Sequence, residues 1–197
     1  MASTLTFDVS QHGEFLATRS SARMIRDSLE AKATALDPSD SVVIDFTGVE
    51  AMTISFADEF LGKFYTTLAA GDIPAQVVLL RGLNEDTRET VTVCLQRREL
   101  VATAAAGNGN IQLVAAPEFL VDTYHHAATL GTFRASDLSD RLGITPQNAN
   151  NRLRRLTAAG ALRRERVTMS ERGGKEFVYT VAGEDGLDPA AARTRSR

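Results

Sequence analysis

Apolar positions along the chain fall into two rhythms, and the change comes near Pro117. Before it, β-rich runs alternate with helical ones. Leu5–Val9 and Glu14–Thr18 are short β-prone runs joined by Ser10-Gln11-His12-Gly13, which predicts a hairpin. Ser20 or Ser21 then opens a helix with Ala22, Ile25, Leu29 and Ala33 on one face and Pro38 beyond its end. Ser41–Phe46 is a continuous apolar run, the sign of a strand buried on both faces. A second helix follows the turn at Thr47-Gly48: Ser55 is its expected N-cap, Asp58 falls where a carboxylate can answer the cap, and Gly71 ends it. Phe56, Phe60, Leu61, Phe64 and Leu68 supply its buried side. Gln76–Leu80 predicts a strand, Asn84 opens a third helix to about Gln96, and Gly107–Gly109 turn the chain into a last strand, Asn110–Val114. The order β-β-α-β-α-β-α-β predicts an α/β unit over residues 1–116 with a largely parallel sheet.

From residue 117 helices predominate. Glu118–Leu130 reads as a helix with Phe119, Leu120, Thr123, Ala127 and Leu130 inward, and Gly131 stops it. Thr132–Ala135 suits a small strand, and Ser136–Leu142 a helix with Leu138 and Leu142 inward. Gly143 turns the chain into the most sharply marked helix, GITPQNANNRLRRLTAAG: Thr145 as cap, Pro146 in the first turn and Gly160 at the end. Ala149, Leu153 and Leu156 form its narrow apolar stripe. Gln147, Asn151 and Arg154 lie opposite, flanked by Asn148, Asn150 and Arg155. Two β-prone runs, Leu162–Met169 and Lys175–Val181, are joined by Ser170-Glu171-Arg172-Gly173-Gly174, a hairpin with a basic tip. The second unit is expected to span residues 117–182 as a small α+β domain, with a small, polar and charged tail at 183–197 read as disordered.

Charge divides along the same line. The chain carries a net −3, but residues 1–117 hold nine Lys/Arg against fifteen Asp/Glu, whereas residues 134–179 hold ten against five. A basic C-terminal unit is a candidate for nucleic acid. Amide and guanidinium groups on a short, anchored helix are what base edges and phosphates are read with, although a polar face is also the ordinary surface of a solvated helix. Composition bounds the rest. With 43% hydrophobic and 24% charged residues the chain is an ordinary globular one. A lone cysteine, Cys94, excludes an internal disulfide, and neither a signal peptide nor a membrane-length apolar run is present, so a cytoplasmic location is expected. His125 and His126 are adjacent and point apart, which argues against a metal pair, and no nucleophile stands with a base; neither cofactor, metal nor enzymatic activity is expected.

The stretch ASDLSDRLGITPQNANNRLRRLTAAGAL, with the helix before it and the hairpin after it, resembles the winged helix-turn-helix domains of bacterial transcription regulators over about residues 118–181. That resemblance implies a recognition helix in the major groove and a wing against the backbone or minor groove. Carried over by position, Thr145, Gln147, Asn148, Asn151 and Arg154 are candidate DNA-binding residues and Arg155 a phosphate clamp. Arg172 and Lys175 fall on the wing tip, and Arg163, Arg164 and Arg166 on its first strand. The run Val43-Ile44-Asp45-Phe46-Thr47-Gly48-Val49 followed by Ser55-Phe56-Ala57-Asp58-Glu59-Phe60 resembles a STAS-like family of unknown function, over about residues 5–115. Its relatives among anti-sigma-factor antagonists imply a phosphorylatable serine at Ser55; this chain has Thr53 where they carry aspartate and Phe56 where they carry glycine. Ser55 therefore stands as a phosphorylation site or a plain N-cap. Asp45, Asp58 and Glu59 are the candidate interaction surface, with Asp45 equally suited to forming a turn. Together these features predict a DNA-binding transcription regulator, a homodimer on double-stranded DNA. The alternative is a protein–protein switch in which a kinase or anti-sigma-like partner acts on Ser55 and the winged helix docks on protein.

Overall fold

The structure, a computed structural model, describes residues 2–106, 110–168 and 175–182. Its first unit is a five-stranded mixed sheet in the order β1-β3-β5-β6-β7: β1 Thr4–Asp8, β3 Ser41–Asp45, β5 Val77–Arg81, β6 Ala102–Ala105 and β7 Ile111–Val114. The first four run parallel and β7 antiparallel to β6. Four helices complete it: α1 Arg19–Ala33, α2 Ile54–Ala57, α3 Lys63–Ala70 and α4 Glu85–Arg97. A π-helical turn, Asp58–Gly62, joins α2 to α3.

Strand alternation places Val42, Ile44, Val78, Leu80, Ala102 and Ala104 on one face, where all four helices share a single core with them. Phe60, in the π turn, is the centre of this core, with ring centroids of Phe56, Phe46 and Phe7 at 5.9, 6.3 and 6.4 Å. Each such side chain contributes roughly 1.5–3 kcal/mol by leaving water. Asp58 and Glu59, in the same turn, reach different partners, Arg98 for Asp58 and Arg26 and Lys63 for Glu59.

The N-terminal runs are not a hairpin. Asp8 accepts hydrogen bonds from the Ser10 N–H and hydroxyl at 2.9 and 2.7 Å, and a short 3-10 turn at Ser10–His12 redirects the chain. β1 then pairs with β3, while β2, Phe15–Leu16, pairs parallel with β4, Ala51–Met52. Thr18, not Ser20 or Ser21, caps α1, and Thr53, not Ser55, caps α2. Thr53 has the extended backbone a cap needs; its hydroxyl accepts from the Phe56 N–H at 3.2 Å and donates to the Ala17 carbonyl at 2.9 Å. β6 was not expected, because Ala-Thr-Ala-Ala has little β propensity. Small side chains suit its inner position between β5 and β7, and the buried Thr103 hydroxyl donates to the Val78 carbonyl. The expected turn at Gly107–Gly109 and the tail at 183–197 lie outside the described residues.

The second unit comprises α5 Glu118–Leu130, β8 Thr132–Arg134, α6 Ala135–Leu142, α7 Pro146–Ala158, β9 Leu162–Thr168 and β10 Lys175–Val181. Its strands form an antiparallel sheet in the order β8-β10-β9. Leu120, Ala127, Leu138, Leu153, Leu156 and Tyr179 fill its core. Phe119, expected inward, is 44% exposed. The second core also reaches back to take in Val101, with Ile111 and Leu113 packed against it.

Two left-handed glycines bracket α7. Gly143 (φ 62°) ends α6 with open space around it, whereas Gly160 (φ 71°) is pressed against β5. Its carbonyl accepts from the Val78 N–H at 3.2 Å, and a Cβ there would lie 2.8 Å from the Val78 nitrogen. Gly143→Ala is expected to cost about 1 kcal/mol, the left-handed penalty alone, and Gly160→Ala about 3 kcal/mol or more. Urea unfolding of the two variants tests this; equal losses would show that the Gly160 contact is not tight.

Candidate functional site

α7 is built from its ends inward. The Thr145 hydroxyl accepts from the Asn148 N–H at 3.2 Å, Pro146 occupies the first helical position, and the buried stripe Ala149, Leu153 and Leu156 fixes the rotation of the helix. Gln147, Asn148, Asn151, Arg154 and Arg155 are all exposed. The Gln147 amide donates to the Asn151 carbonyl oxygen at 3.3 Å, so the two share one patch of the outward face.

The flanks of this face differ. On one side Arg152 donates to the Thr123 hydroxyl at 2.9 Å and to the Asn148 side chain at 3.1 Å, which ties α7 to α5. The guanidinium groups of Arg152 and Arg155 lie 5.2 and 5.5 Å from the ring centre of Phe119, which explains how an exposed aromatic is held there. On the other side Asn150 and Arg154 face the first unit across a cleft. The i, i+4 spacing of Asn148 and Arg152 marks their mutual bond, whereas the Arg152–Phe119 contact joins two helices and has no such trace in the chain.

The arginines of β9 separate. Arg163 lies on β9 as expected, and there it donates to the Ser41 hydroxyl at 3.2 Å and so braces the two units. Arg164 stacks at 4.5 Å over Phe177, and Arg166 is exposed. Lys175 begins β10, but its side chain lies outside the described part, as do Arg172 and the rest of the hairpin tip, 170–174.

In the first unit the expected surface residues do not form one patch. Asp45 forms the turn after β3: its carboxylate accepts from the Thr47 N–H at 3.0 Å and hydroxyl at 2.7 Å. Burial opposes its charge, but the Arg81 guanidinium and these Thr47 bonds outweigh that and hold the carboxyl below its usual range. Asp58 pairs with Arg98 at 2.7 Å, an arginine that crosses over Gly62; this bond, against the cost of burial, lowers the Asp58 carboxyl. Glu59 is no surface residue at all. Its side chain is 2% exposed and lies under Lys63 at 2.7 Å, Arg26 at 2.8 Å and Arg23 at 3.5 Å. Only Ser55 is openly exposed, at the second position of α2.

Among the described residues no three His, Cys, Asp or Glu gather where a metal could sit. No described helix is long and apolar enough to cross a membrane. Cys94 is buried, and burial pushes its thiol up to about 11, so it is no thiolate at neutral pH.

A family described as a STAS-like domain of unknown function matches residues 21–86, from the first turn of α1 to the first turn of α4. That segment holds Ser55, the π turn and the Glu59 cluster, and stops short of α7. No curated protein matches the chain.

The Glu59 cluster has a measurable consequence. Lys63 donates to the carboxylate, burial works against it, and Arg26 adds a second bond; the net effect is a drop from 4.5 to about 2. Because the folded value lies below the unfolded one, the stabilisation is complete above about pH 4.5 and is lost as pH falls toward 2. Glu59→Gln is expected to cost about 1–3 kcal/mol at pH 7 in urea unfolding, with the difference from wild type shrinking between pH 4.5 and 2. A difference independent of pH would sink the assignment.

Proposed function

We propose that the chain is a transcription regulator that binds double-stranded DNA. In this reading α6, the Gly143 turn and α7 are a helix-turn-helix, β9 and β10 are its wing, and the N-terminal unit is a STAS-like sensory or protein-interaction domain. The observation that carries it is the polar face of α7: Gln147 and Asn151 at its outward centre and Arg154 exposed at its flank, on a helix whose rotation and both ends are fixed. Asn and Gln can offer a donor and acceptor pair to adenine and Arg a bidentate donor pair to guanine, so this face has the chemistry of major-groove readout. In this reading Arg155, at the flank, is assigned a phosphate contact. The positive balance of residues 134–179 supports attraction to the duplex, and the acidic N-terminal unit disfavours contact elsewhere.

Retention of genomic DNA fragments in gel shifts at low salt is the direct test. Asn151→Ala and Arg154→Ala are each expected to weaken specific binding by about 1–3 kcal/mol. Arg155→Ala should weaken all sequences alike and reduce the slope of log affinity against log salt by about one. Unchanged binding in all three variants would reject α7 as the reading helix.

The exposure of Ser55 favours a second reading, a switch in which a partner kinase phosphorylates it. A phosphate there would meet favourable helix N–H groups and the unfavourable charge of nearby Asp58. Phosphate incorporation lost in Ser55→Ala, together with no DNA retention at low salt, would favour that reading instead.

A further inference from the structure

A cleft of about 810 Å³ runs between α3 and the segment after it on one side and α7 with β9 and β10 on the other. This volume lies in the range of small-molecule sites, and junctions between two units are where such sites recur. The wall from the first unit is mostly apolar, with Leu68, Ala69, Ile73, Pro74 and Ala75, and Gln76 is its one polar side chain among the described residues. The facing wall carries two guanidinium groups, Arg154 and Arg164, beside the half-exposed ring of Phe177. No acidic side chain lines the cleft among the described residues, and neither arginine has a salt-bridge partner among them.

The walls are held in place by contacts at the cavity and beside it. The Arg164 N–H donates to the Gln76 side chain at 2.5 Å, its guanidinium lies 4.5 Å over Phe177, and Gly160 is seated on Val78 at 3.2 Å. Two positive charges, Arg164 held over Phe177 and Arg154 exposed across from it, have no counter-charge among the described residues; set against a mostly apolar wall, they match a ligand of the opposite construction.

We propose that this cleft binds a small amphipathic anion: a carboxylate, sulfonate or phosphate ester carried on an apolar, aromatic-sized body. The anionic group lies between Arg154 and Arg164, and the body lies against Ile73, Pro74 and Phe177. Arg154 also belongs to the face of α7 assigned to DNA, so occupancy withdraws it from the duplex; that consequence rests on the DNA-binding reading, whereas the site itself does not.

The probe is 8-anilinonaphthalene-1-sulfonate, titrated by fluorescence and calorimetry into the full chain, with neutral N-phenyl-1-naphthylamine and inorganic phosphate as controls. The expected result is saturable one-to-one binding, weakened at least tenfold in Arg164→Ala and in Arg154→Ala. Ala69→Trp, which fills the cleft and leaves both charges in place, should weaken it equally. Absence of saturable binding, or binding indifferent to all three substitutions, overturns the proposal. Tight binding of the neutral analogue that ignores the arginines, or displacement by phosphate at matched ionic strength, overturns its amphipathic-anion character. On retained DNA fragments, saturating probe should release DNA from wild type and not from Ala69→Trp. Failure of DNA retention would count against the DNA-binding reading and leave the titration result standing.

Discussion

The placement of the C-terminal helices depends on one backbone contact. Val78 lies on β5 where pairing with β6 has not yet begun, and its N–H is answered by the Gly160 carbonyl at 3.2 Å. A buried N–H left without a partner is costly, and only a residue without a Cβ, in a left-handed conformation, brings a helix terminus that close. Gly160 thus ends α7 and seats it on the sheet in the same step. Ala161 and Leu162 follow directly into the second core, and Arg163 reaches Ser41 from the next position. Because α7 is seated there and the next strand is braced by the Arg163–Ser41 bond, its polar face has one orientation relative to the first unit. Its outward centre, Gln147 and Asn151, is open to a partner, and its inner flank, Asn150 and Arg154, faces the cleft.

The first unit is organised differently, around a buried charge. Glu59 sits beside Phe60 in the π turn. Three basic side chains, from α1 and from the start of α3, converge on it. A carboxylate so enclosed is tolerated only because its oxygens are bonded, and removing it strands the cations that it gathers. Meanwhile Asp58, its neighbour in sequence, turns the opposite way to Arg98 on the loop after α4. Adjacent acids in the same motif therefore serve as two structural braces rather than one surface, and of the four expected interaction residues only Ser55 is exposed.

Much of this was legible in the chain where one residue carries one local rule. Thr145, Pro146, Gly143 and Gly160 mark α7 because capping and left-handed termini are local, and the stripe Ala149, Leu153, Leu156 gives its buried side. Asn84 as a cap and Gly71 as a terminator were visible for the same reason. What escaped depends on contacts distant in sequence. β6 is four small residues made a strand by the neighbours on either side. The N-terminal runs resemble a hairpin locally, but each finds a parallel partner more than thirty positions away. Ser55 and Thr53 are equally good caps by type, and the choice falls to Thr53 through its bond to Ala17. Phe119 fits an inward position by helical spacing, yet two guanidinium groups cover it at the surface.

The central claim is that the outward face of α7 meets DNA, and proximity chemistry tests it without relying on affinity. A photoreactive benzoylphenylalanine is placed at Gln147, and in a second protein at Met24, an exposed residue of α1. Irradiation with duplex fragments should yield a DNA adduct from position 147 and none from position 24. Adducts to protein alone at position 147, or DNA adducts only from position 24, would contradict the account.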